Sequence, residues 1–72
     1  KGYEITIENG VYMIKGPYVD RLFMKVNIYD NESLKYFQKA LRRKGIIDEL
    51  KQMGIKEGDT VRIRDMEFEF KE

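Results

Sequence analysis

An α+β fold, in which two β-hairpins form one four-stranded sheet with three short helices inserted between them and packed on one face, follows from three features of the 72-residue chain. Apolar and polar residues alternate at both ends, from Tyr3 to Lys15 and from Thr60 to Phe70. Apolar residues recur at helical spacing in between. Glycines at positions 45, 54 and 58 fall where helices or turns have to end. A hairpin alone is marginal in water, so the two are expected to share a sheet roofed by the helices.

Each element has its own local cause. Tyr3 to Glu8 alternates as a half-buried strand does. Asn9-Gly10 then supplies the two positive φ angles of a type I′ turn, and Val11 to Lys15 returns. A two-residue turn pairs Ile5 with Ile14, Ile7 with Tyr12 and Glu4 with Lys15, which sets apolar pairs on one face and opposite charges on the other. Gly16-Pro17 ends the strand and opens a helix, because proline is tolerated in the first turn. Val19, Leu22, Phe23 and Val26 form its stripe at i, i+3, i+4 and i+7. Asp30 or Asn31 caps the next helix through a side-chain oxygen. Its inner face is Leu34, Phe37, Gln38 and Leu41, with Ala40 beside it, and Gly45 closes it in the left-handed region with Ile46 as the accompanying hydrophobic contact. A third helix of about two turns presents Ile47, Leu50 and Met53 and ends at Gly54. Lys56-Glu-Gly-Asp is a turn, and Thr60–Ile63 with Met66–Phe70 is the second hairpin. A two-residue turn at Arg64-Asp65 would pair Val61 with Phe68 and Arg62 with Glu67. Arginine disfavours positive φ, so a longer turn or another type is the alternative. The expected core is Ile5, Ile7, Tyr12, Ile14, Leu22, Phe23, Leu34, Phe37, Leu41, Leu50, Ile55, Val61, Ile63, Phe68 and Phe70.

Size and composition bound the chemistry. A single domain of this length buries only roughly 60% of its unfolded surface. The residues are 42% apolar and 38% charged, the profile of a folded rather than a disordered chain. Fourteen basic and thirteen acidic residues leave a net charge of +1, which gives no global attraction to nucleic acid or membrane. The chain has no cysteine and no histidine, which removes thiolate chemistry, the commonest general base and the commonest transition-metal ligand. It has no apolar run long enough to span a bilayer and no signal peptide. It begins at Lys1 without an initiator methionine, and the expectation is one domain, residues 1–72, excised from a longer chain.

The polar residues point to surfaces rather than to a reactive centre. Lys35, Lys39, Arg42 and Arg43 fall at i, i+4, i+7 and i+8 on the helix exterior, and Lys44 ends the run. They make one candidate contact face for RNA phosphates or a partner. The competing reading is a solvated face whose last cations complement the helix dipole. No aromatic-interleaved RNA-recognition motif accompanies the run. The carboxylates Asp48, Glu49, Glu57 and Asp59 suit caps and turns, since a metal site needs oxygens that converge at short range. Glu67 and Glu69 read as the outward face of a strand. Ser33, the only serine, lacks an activating base. Tyr18 and Tyr29 flank the first helix and are the aromatic candidates for an exposed contact patch.

From about Tyr12 to Phe70 the chain resembles the C-terminal domain of Obg-family GTPases. The matching pieces are Gly16 with Asp20-Arg21-Leu22, Asp30-Asn31-Glu32, Tyr36-Phe37, Leu41-Arg42, Gly45-Ile46, Glu49-Leu50, Gly54, Gly58-Asp59, Val61-Arg62-Ile63 and Glu67-Phe68-Glu69-Phe70. No single piece is specific; their order and spacing carry the resemblance. Two departures stand out: Val26-Asn27-Ile28 where members often have Thr-Asp-Phe, and Arg64 where many have glycine.

The resemblance implies a cytoplasmic parent protein with a glycine-rich N-terminal domain, a P-loop GTPase domain and this module last. Such a parent would bind GTP and magnesium and assist large ribosomal subunit assembly, with links to stress and growth control. The chain has no Gly-x-x-x-x-Gly-Lys-Ser/Thr, so the fragment is expected to be no enzyme and to hold no cofactor or metal. Its implied role is a non-catalytic regulatory and interaction domain. Implied partners are its own GTPase domain and the large ribosomal subunit or a regulatory protein. Direct ribosomal RNA binding through Lys35 to Lys44 is the alternative.

Overall fold

The computed structural model describes residues 1–72. The element order is β1 (Glu4–Glu8), β2 (Val11–Lys15), α1 (Pro17–Lys25), α2 (Asn31–Lys44), α3 (Ile46–Gln52), β3 (Thr60–Ile63) and β4 (Met66–Glu69). The four strands form one sheet in the order β1-β2-β3-β4, so the two hairpins do join in a single sheet. The seam between them, β2 against β3, is parallel, with Tyr12 opposite Val61 and Ile14 opposite Ile63. The other two pairings are antiparallel and follow the registers that two-residue turns require. A parallel pair needs a crossover connection, and the three helices supply it.

The sheet buries one face. Tyr12, Ile14, Val61 and Ile63 point inward and are at most 8% exposed. The alternate row across all four strands, Thr6, Met13, Arg62 and Glu67, lies on the other face. Val19, Leu22, Phe37, Leu41, Ile46, Leu50, Ile55 and Phe70 complete the core. Phe23 meets Phe37 edge to face, with ring centres 6.3 Å apart.

Local signals act as the sequence predicts at several places. Both residues of the Asn9-Gly10 turn have positive φ, 50° and 78°. Asp30, rather than Asn31, caps α2 by accepting the Ser33 N–H at 3.0 Å. Gly54 sits at φ 97°, where its N–H reaches the Lys51 carbonyl and the Ile55 N–H reaches the Leu50 carbonyl. That pair of bonds is a Schellman closure, and buried Ile55 and Leu50 are its hydrophobic contact.

Several expected core positions differ. Ile7 is 47% exposed: it faces inward by register but lies on an edge strand with one neighbour, outside the ground the helices cover. Leu34, in the first turn of α2, is only half-buried, and the helix reaches the core a turn later at Phe37. Ile5, Phe23 and Phe68 are half-buried and pack against the core rather than inside it. Val19 and Ile46, absent from the expected core, are fully buried. On α3 the pair facing the core is Ile46 and Leu50, while Ile47 and Met53 are half-buried. The left-handed turn at Gly45 (φ 92°) swings Ile46 inward and thereby sets the rotation of α3.

The second hairpin does use the two-residue turn, with Arg64 at φ 58°. A non-glycine residue there costs about 1–2 kcal/mol. Tertiary contacts hold it: the Arg64 guanidinium donates to Asp20 Oδ1 on α1 at 3.2 Å and lies 5.8 Å from the centre of the Phe23 ring.

The residues before β1 form a clasp across the helices. The Gly2 carbonyl accepts the Tyr18 N–H at 2.9 Å. The Tyr3 hydroxyl donates to Glu49 Oε1 on α3 at 2.7 Å, and Lys1 Nζ donates to the same carboxylate at 3.0 Å. Donation to Glu49, with some burial, pushes the Tyr3 hydroxyl up to about 12. The bonds from Tyr3 and Lys1 hold the Glu49 carboxyl below the usual carboxylate range. Gly16 makes the clasp sterically feasible. Its φ is 135°, and a Cβ there would meet the Gly2 oxygen at 2.6 Å and the Tyr3 Cα at 2.7 Å.

Substitutions test these contacts in urea denaturation. Gly16→Ala lowers stability by about 3 kcal/mol because backbone has to move. Gly10→Ala, with open space around the new methyl, costs about 1–2 kcal/mol for its positive φ alone. Ile14→Ala costs about 2–5 kcal/mol, whereas Ile7→Ala costs less than about 1 kcal/mol because Ile7 is already half exposed. A further outcome concerns pH. The fold favours the protonated Tyr3, so that contribution is complete below the ordinary value of 10.0 and is lost as pH rises toward about 12. The unfolding midpoint of Tyr3→Phe therefore falls less steeply over that window than that of the parent chain. An equal alkaline slope would show that the clasp contributes nothing.

Candidate functional site

The basic run lies where its spacing places it, with one exception. Lys35, Lys39, Arg42, Arg43 and Lys44 are all on α2 and all exposed. At about 100° per residue, Lys35, Lys39, Arg42 and Arg43 share an arc of about 100° on the outer surface. Lys44 lies about 180° from Lys35, and its Nζ sits 4.7 Å from the centre of the Tyr18 ring. It belongs to the helix–helix junction rather than to the outer stripe. None of the five is within ion-pair distance of a carboxylate; the four ion pairs of the protein use Lys1, Lys51, Arg62 and Arg64. The stripe therefore keeps its full positive charge. Arg42 also borders a groove in which Gln38, Ile47, Phe68 and Phe70 meet the chain end.

The carboxylates take structural positions. Glu49 is held in the clasp. Asp59 accepts the Lys56 N–H at 2.9 Å and so closes the turn before β3. Glu57 accepts the Glu72 N–H at 3.1 Å. Glu67 Oε2 lies 3.8 Å from Arg62 Nε across β3 and β4. No three acidic residues group as metal ligands would, and no helix is long and apolar enough to cross a membrane. Of the two aromatic candidates, Tyr29 is 92% exposed and Tyr18 is not a free contact. The Tyr18 ring packs against the core and lies beneath Lys44.

A second polar surface is assembled from residues far apart in the sequence. A cleft of about 480 Å³ opens at the carboxyl ends of the parallel strands β2 and β3. Met13, Lys15, Arg62 and Arg64 line it, with Asp20 at its helix-side wall. Arg62 Nε is shielded from solvent and has no hydrogen-bond acceptor. Nothing local in the sequence brings position 15 next to positions 62 and 64. Only the parallel seam does.

The geometry defines a small α+β module: a mixed four-stranded sheet, one roof of helices, and two basic surfaces on different sides. The chain belongs to the family described as "Domain of unknown function (DUF1967)", which matches residues 3–70 and therefore includes the first hairpin as well as the segment that carries the resemblance. This family corresponds to the C-terminal domain of Obg proteins. The chain is 57% identical to GTPase Obg of Clostridium novyi over 68 residues, 94% of the chain and 16% of that relative. It is 56% identical to GTPase Obg of Acetivibrio thermocellus over 68 residues, again 94% of the chain and 16% of the relative. With GTPase Obg of Ruminiclostridium cellulolyticum the identity is 53% over 70 residues, 97% of the chain and 16% of the relative. The chain thus spans about one sixth of the length of the curated relatives it matches.

Proposed function

We propose that residues 1–72 are the C-terminal module of a longer Obg GTPase and serve there as a non-catalytic regulatory and interaction domain. In this reading GTP and magnesium are held by a separate P-loop domain, and the module positions or modulates that domain or contacts the large ribosomal subunit or a regulatory protein in the cytoplasm. The observation that carries it is the family membership of a chain that covers only about one sixth of GTPase relatives and lacks the phosphate-cradling glycine-lysine loop. The absence of histidine and cysteine, and the use of carboxylates in caps, turns and the clasp, support it. The test is GTP turnover by the 72-residue chain together with its binding to a purified Obg GTPase domain and to large subunits. Turnover above background would refute the reading, and so would failure to bind either partner.

Direct binding to ribosomal RNA is the second reading, favoured by the unpaired cations of α2. Four phosphate contacts from Lys35, Lys39, Arg42 and Arg43 would weaken affinity about 50- to 150-fold between about 50 and 200 mM salt. Lys39→Glu with Arg42→Glu would abolish that dependence. Fluorescence anisotropy with labelled ribosomal RNA measures both. A flat salt response, or affinity that survives the double substitution, removes this reading and leaves the interaction domain.

A further inference from the structure

We propose that the cleft at the carboxyl ends of β2 and β3 binds a phosphate group through Lys15, Arg62 and Arg64. This site is independent of the α2 stripe and of the reading given above.

Three cations separated by almost fifty residues of chain line this one concavity. Arg62 lies on β3, and Arg64 follows the end of that strand as the first turn residue, at φ 58°. Lys15 ends β2 next to β3, whose last residue, Ile63, precedes Arg64. Two carboxylates also border the cleft, Asp20 and Asp65. Asp20 already accepts from Arg64 at 3.2 Å and acts as the support that fixes that guanidinium. Neither of the other two cations donates a hydrogen bond to a carboxylate, although Arg62 is ion-paired with Glu67. Lys15 has no ion-pair partner, and Arg62 Nε, shielded from water, lies 3.8 Å from Glu67 Oε2, beyond hydrogen-bond distance. The planar fork of arginine matches phosphate oxygens two at a time, and lysine adds a point charge.

The lining also selects against apolar ligands. Only two of its eight residues, Met13 and Ile14, are hydrophobic. A volume of about 480 Å³ exceeds a single phosphate and suits a ligand with more than one. Such a group comes either from a free phosphorylated small molecule or from an RNA backbone.

The probe is inorganic pyrophosphate, titrated into the ¹⁵N-labelled chain while the side-chain Nε–H signals of arginine are followed by NMR. The expected result is a saturable shift of the Arg62 and Arg64 Nε–H signals that chloride at equal ionic strength does not reproduce. Arg62→Gln and Lys15→Gln each weaken the apparent affinity at least about tenfold, and Lys39→Gln on α2 leaves it unchanged. Lys15 stands at an exposed strand end, so its variant folds even where Arg62→Gln disturbs the sheet centre. Shifts that grow linearly without saturating, that chloride matches, or that Lys15→Gln leaves intact overturn the proposal. A short oligoribonucleotide then separates the sources. Tighter binding than pyrophosphate, lost in Lys15→Gln, identifies the RNA backbone; weaker binding identifies a free phosphorylated molecule.

Discussion

The parallel pairing of β2 with β3 is the constraint on which the rest of this structure depends. It sets Ile14 beside Ile63 and Tyr12 beside Val61, which makes the two-strand floor on which the core is laid. Without it the protein would be two separate hairpins, each too small to hold its own strands together. The seam is non-local and costs loop-closure entropy before it returns anything. Burial of Phe37, Leu41, Ile46 and Leu50 against that floor offsets the cost, since each large side chain taken out of water contributes about 1.5–3 kcal/mol. Sheet and helices are therefore stable only together.

Two departures from relaxed backbone sit at the points where hairpins meet helices. Gly16 lets the chain before β1 pass within van der Waals contact of the start of α1, and the clasp from Lys1 and Tyr3 to Glu49 then reaches α3. Arg64 takes a left-handed conformation at the far hairpin and is held by Asp20 and Phe23 of α1. The exposed ion pairs in both places are individually weak. What they do is orient: each hairpin is fixed to a helix by a side chain from its own end, so the relative placement of the two layers is specified twice.

The charges are distributed so that near-neutrality overall conceals local polarity. The outer side of α2 carries cations without partners, while β1 and β4 carry Glu4, Glu8, Glu67 and Glu69. The glutamates on the edge strands discourage uncontrolled pairing with other chains. Association is left to the helix stripe and to the cleft, where a ligand or partner meets charge rather than open backbone. This division suits a module whose role in the longer protein is contact rather than chemistry.

The sequence by itself determined everything that depends on neighbours a few residues apart. Asn9-Gly10 dictated the register of the first hairpin, Asp30 and Gly54 the ends of helices, and the spacing of Lys35, Lys39, Arg42 and Arg43 the outer stripe, because turn dihedrals, cap bonds and helical periodicity act over one turn of chain. Tertiary structure alone decided what depends on distant segments. That Ile7 stays half exposed and that Lys15 lines the same cleft as Arg62 and Arg64 both follow from which strand lies next to which. Strand order is chosen by the total apolar area the whole chain buries, and no local pattern of residues encodes that sum.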